Sequence, residues 1–139
     1  MKTFITIKSE IENIKVLEEF VDQLGVEYKI NEYLYGNLLV SALESVTNAI
    51  THGNHCDPTK YVFINTEIRD NFLLLSVKDE GLGFDPNSLP DPTDPDNVQK
   101  FSGRGVFLMR ELCDKVEFLE GGTLVNMYFD LTKKQDDEH

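Results

Sequence analysis

Glu44 and Asn48 stand four residues apart in the run Glu44-Ser45-Val46-Thr47-Asn48-Ala49-Ile50-Thr51-His52-Gly53. On a helix, side chains at i and i+4 project from the same face. A carboxylate able to prepare a nucleophile would then sit beside an amide able to hold a metal near a phosphate chain. Two glycine-rich turns follow, Asp79-Glu80-Gly81-Leu82-Gly83-Phe84 and Gly103-Arg104-Gly105. Glycine lets backbone approach a ligand that a Cβ would exclude. Taken singly, a Glu/Asn pair is usually a solvated flank and an Asp-x-Gly-x-Gly is usually a turn. Their order and spacing together point to a site for ATP phosphate chemistry.

The surrounding pattern supplies elements to carry these residues. Phe4 to Ile7 reads as a short strand. Ser9 with Glu12 has the form of a capping box, ahead of Ile11, Ile14, Leu17, Phe20, Val21 and Leu24 at helical spacing. Gly25 suits the position past that helix. Asn31 is a candidate cap for a second helix carrying Leu34, Leu38, Ala42, Leu43, Val46, Ala49 and Ile50, with Gly53-Asn54 as its stop. Glu44 and Asn48 fall on the flank of that apolar stripe, and His52 reads as a helix-end residue. Tyr61 to Ile68 alternates like a strand, and Phe72 to Lys78 is the continuous apolar run of a buried central strand. After Gly105, the stripe Phe107, Met109 and Leu112 predicts a core-facing helix. Val116 to Leu119 and Thr123 to Leu131 predict two strands around Glu120-Gly121-Gly122.

The order β-α-α-β-β-lid-α-β-β describes an α+β two-layer sandwich: a mixed, mainly antiparallel sheet covered on one face by three helices. Residues 1–132 are expected to form one domain, with a Pro/Asp-rich lid at about 84–102 and a polar tail over 133–139. A net charge of −12 with 13 Lys plus Arg argues against a nucleic-acid partner. It also requires local neutralisation of any phosphates, for which Lys100 and Arg104 are placed. No apolar run reaches the roughly 18–20 residues of a membrane span, so a cytoplasmic protein is expected. Cys56 and Cys113 lack metal-ligand spacing and read as two thiols.

The boxes around Glu44 and Asn48, Asp79 to Asp85 and Gly103 to Met109, with Gly122-Thr123, resemble those of the Bergerat-fold ATPases: gyrase, the heat-shock-90 chaperones, sensor histidine kinases and MutL. The similarity runs from about Phe4 to Phe129 and is greatest to the stand-alone bacterial anti-sigma factor serine/threonine kinases. That resemblance implies ATP and Mg²⁺ as cofactors, with Asn48 as metal ligand and Glu44 as general base. It implies that Asp79 accepts from the adenine amino group, while Gly81 and Gly83 wrap the base and Thr123 supports it. Gly103, Arg104 and Gly105 would present amides to the phosphates, with the Arg104 side chain directed at the terminal one. The implied substrate is a STAS-type anti-anti-sigma protein, with a sigma factor as second partner and a homodimer as assembly. A nucleotide-binding switch without phosphoryl transfer is the alternative.

Overall fold

In a computed structural model, residues 2–83 and 104–133 are described; the expected lid and most of the tail fall outside them. Five strands, β1 (Lys2–Lys8), β2 (Tyr61–Arg69), β3 (Phe72–Lys78), β4 (Lys115–Leu119) and β5 (Leu124–Asp130), form one sheet in the order β1-β2-β3-β5-β4. The described residues also form helices α1 (Ile14–Glu27), α2 (Glu32–Asn48) and α3 (Arg104–Leu112), with a 3₁₀ turn at Ile11–Asn13 ahead of α1. All four strand pairings are antiparallel. The mixed sheet expected from the sequence is therefore corrected: β3 and β4 run the same way, but β5 lies between them and pairs with both.

One face of the sheet carries the core. Leu17, Val21 and Leu24 of α1 and Leu38, Ala42 and Val46 of α2 pack with Ile64, Leu75, Met127 and Phe129, all at most 2 % exposed. Each fully buried aliphatic contributes roughly 1.5–3 kcal/mol. β3 occupies the centre, which is why Leu73, Leu74 and Leu75 are all buried rather than alternating. Among the described residues no helix covers the other face, and Phe4, Tyr61, Phe63 and Phe72 are exposed there. No described helix is long and apolar enough to cross a membrane.

Three local expectations change in the folded chain. Ser9 caps nothing: it is fully buried, and its hydroxyl donates to Lys60 O at 2.8 Å. Gly25 lies inside the last turn of α1, where a Cβ would come within 3.2 Å of the Tyr35 ring, so it serves helix–helix approach rather than termination. In α3 the inward positions are Val106 and Met109, followed by Cys113 just past its end, while Phe107 is 48 % exposed. Burial pushes the Cys113 thiol up to about 12, and its Sγ donates to Ser41 Oγ.

α2 begins as the sequence predicts. Asn31 Oδ1 accepts from Leu34 N–H at 2.9 Å, while Asn31 Nδ2 donates to Lys133 O at 3.0 Å. Asn31→Ala should cost about 1 kcal/mol, read as a lowered urea midpoint with unchanged slope.

Candidate nucleotide site

α2 does not end at Asn48 as a plain α-helix. Ala49–Gly53 widen into a π turn, closed by Asn54 N–H donating to Ala49 O at 2.8 Å. Such single-turn widenings recur at functional sites. Ser45, Asn48, Ala49, His52 and Gly53 all border one cleft of about 620 Å³, including its open mouth. Val77 and Asp79 form the β3 side, Val106 and Met109 the α3 side, and Thr123 and Val125 the β5 side.

The sequence motifs meet around this cleft through glycines. A Cβ built on Gly105 would lie 2.5 Å from Asn48 Nδ2 and 3.1 Å from Glu44 Oε2, so the first turn of α3 sits directly over the Glu44/Asn48 pair. A Cβ on Gly81 would fall 2.0 Å from Gly53 O, and one on Gly53 would fall 2.5 Å from Asp79 Oδ2. Gly83 has φ of +85°, and its Cβ would fall 1.9 Å from Gly121 O. Adding a methyl at Gly81 or Gly83 therefore requires backbone to move.

Asp79 is nearly enclosed, at 9 % exposure, and burial raises its carboxyl above the usual aspartate range. The Gly81 N–H donated to Oδ1 at 2.8 Å, then Lys78 and Lys60, oppose that shift. With Oδ1 engaged, Oδ2 is the oxygen left for a ligand donor, and an adenine amino group would supply one. Thr123 braces Asp79 through its backbone: Thr123 O accepts Asp79 N–H at 2.9 Å. The Thr123 hydroxyl donates to Glu120 O and accepts from Lys78 Nζ, while its Cγ2 faces Gly83.

Glu44 is half-buried on α2 beside Gly105, and Asn48 lines the cleft one turn further on. Gly103 and the Arg104 side chain lie outside the described residues, as does Lys100. The first turn of α3 brings Gly105 against Asn48 and Val106 to the cleft wall, and a helix N-terminus is suited to an anion. Mg²⁺ fits this set as a companion of nucleotide phosphates. Asn48 offers a hard amide oxygen, and among the described residues no cluster of three His, Cys, Asp or Glu could hold an ion alone.

Sequence reasoning left several cleft residues unassigned. His52 borders the cleft, and burial, then His55, lowers its pKa, favouring the neutral ring. Gly53, read as a helix stop, packs on the Asp79 carboxylate. Ser45, Ala49 and His52 do follow a signal, the i, i+4, i+7 spacing of one helix face.

A two-layer domain with one antiparallel sheet, helices on one face, and a glycine-bounded cleft between α2, β3 and α3 is a Bergerat-type nucleotide-binding domain. The histidine kinase-like ATPase domain model matches residues 7–129, and the chain belongs to that family. It is 40 % identical over 76 residues to an anti-sigma F factor of Geobacillus thermodenitrificans, covering 52 % of this chain and 51 % of the relative. It is 33 % identical over 98 residues to the anti-sigma F factor of Oceanobacillus iheyensis, covering 66 % of each. The chain thus spans half to two thirds of these relatives' lengths. A crystal structure of the RsbU and RsbW domains of a Mycobacterium tuberculosis protein shares the fold, with a TM-score of 0.69 at 14 % identity, over 94 % of this chain and 32 % of that one.

The raised Asp79 pKa has a thermodynamic consequence. Above that pKa the folded state holds a carboxylate that burial disfavours; below the unfolded value both states are protonated and the penalty vanishes. Asp79→Asn, neutral throughout, should therefore unfold at a higher temperature than wild type at pH 7 without ligand. The gap should close as pH falls through the Asp79 titration, in paired thermal melts.

Proposed function

We propose that this chain is an ATP-dependent protein serine/threonine kinase that acts as an anti-sigma factor and phosphorylates a STAS-type anti-anti-sigma partner. The observation that carries the reading is the convergence of Glu44, Asn48 and Gly105 at one side of a cleft whose far side holds Asp79. The anti-sigma F factors among its relatives support the partner class. Self-association, implied by the resemblance, would use the sheet face that no described helix covers, where Phe4 is 71 % exposed.

In this reading Asp79 and the Gly81–Gly83 turn select and hold the base, and Asn48 fixes the phosphate end. Mg²⁺ supplies charge neutralisation on the phosphates when it is bound with ATP. The partner hydroxyl enters beside Glu44. Its oxygen forms a bond to the γ-phosphorus as the bond to the ADP oxygen breaks, and its proton passes to the Glu44 carboxylate. The half-buried setting of Glu44 on a rigid helix keeps that base in place without ordering a loop.

Incubation with labelled ATP and a serine-bearing STAS protein tests the assignment. Wild type should label the STAS serine, and Glu44→Ala should lower the rate by about 10²–10⁴-fold with ATP affinity preserved. Full activity in Glu44→Ala would remove Glu44 as base. ATP binding without labelling of any Ser or Thr would favour the nucleotide-dependent switch.

A further inference from the structure

Asn54 has no part in the chemistry described so far, yet its side chain is fully buried and every polar atom in it is used. Its Oδ1 accepts from Glu80 N–H at 2.8 Å. Its Nδ2 donates to Ser9 Oγ at 2.8 Å and to Tyr61 O at 3.0 Å. The amide orientation follows from its partners, because Glu80 N–H can only donate and Tyr61 O can only accept. Ser9 passes the connection to Lys60 O, and Glu80 Oε2 accepts from Tyr61 N–H at 2.6 Å. Asn54 thereby joins the end of β1, the π turn after α2, the start of β2 and the turn leaving β3.

We propose that Asn54 is a positioning residue for base recognition: it fixes the Asp79–Gly81 turn so that the Asp79 carboxylate faces the cleft. This inference rests on the ATP-site reading above and deepens it. Asp79 is held on one side by its own N–H on Thr123 O. Asn54 holds the next residue, Glu80, on the other side, and Gly53 next to it abuts both Gly81 and the carboxylate. Releasing Glu80 frees the turn to rotate about Asp79, which changes where Oδ2 points. A carboxylate at position 54 would keep the acceptor for Glu80 and lose the donors; alanine loses both.

The test is the Kd for Mg²⁺-ATP and for Mg²⁺-GTP, measured by calorimetry on the full chain and on variants shown to be folded by circular dichroism. Asn54→Ala should weaken ATP by about tenfold and GTP by less, because the lost contact is the one that reads the adenine amino group. Asn54→Asp should retain more of the ATP preference than Asn54→Ala. Asn54→Ser, too short to reach Glu80, takes the place of Asn54→Ala if that variant does not fold. Unchanged ATP affinity and preference in a folded Asn54→Ala or Asn54→Ser would overturn the inference and leave the nucleotide site standing. Equal losses for ATP and GTP in all variants would also overturn it, marking a general structural role. A wild-type protein that binds neither nucleotide would remove the ATP reading, and this inference with it.

Discussion

The carbonyl of Gly53 occupies almost the position that a Cβ on Gly81 would take, 2.0 Å away. Two segments far apart in sequence, the end of α2 and the turn after β3, are pressed backbone to backbone at that point. Much of the cleft depends on the approach. It sets Gly53 over the Asp79 carboxylate and aligns Asn54 with Glu80. It also leaves the helix face of Asn48 and His52 open toward β5. The same device recurs at Gly83 against Gly121 O, and Gly105 makes a similar close approach to the Asn48 side chain. Glycine is required at Gly81 and Gly83 because backbone lies in the way, and at Gly83 by a positive φ as well, whereas at Gly105 the neighbours are side-chain ends.

Against that close-packed frame, the electrostatics run uphill. An already acidic chain buries one more carboxylate at Asp79, with a single backbone N–H on Oδ1 and lysines at a distance as compensation. Stability alone would not favour that arrangement. A site that must recognise a ligand donor does favour it, because an acceptor kept dry and oriented discriminates sharply between bases that offer a donor and bases that do not. The π turn and the buried Asp79 meet at Gly53, which packs on the carboxylate.

Features fixed by local periodicity and capping were legible in the sequence. Asn31 caps α2, the Glu44/Asn48 pair lies on one helix flank, and the β3 run is central and buried. What escaped depends on partners distant in the chain. Ser9 has the local form of a cap but is claimed by Lys60 and Asn54, 51 and 45 residues away. Gly25 looks like a stop and is instead a contact point for Tyr35. Phe107 stands only two residues from Met109, a spacing that puts them on different helix faces, so it lies on the outer side of α3 while Val106 and Met109 line the cleft. The antiparallel order follows from β5 inserting between β3 and β4, which no local pattern encodes. Gly53-Asn54 read as the end of a helix, and its larger role appears only when Glu80 is placed beside it.

An ATP site read through Asp79 makes a direct demand on nucleotide binding. Calorimetry with a non-hydrolysable ATP analogue, with and without Mg²⁺, on wild type and Asp79→Asn tests it most directly. Wild type should bind in a Mg²⁺-dependent way, and a folded Asp79→Asn should not bind. No binding to wild type, or equal binding to both proteins, would contradict it.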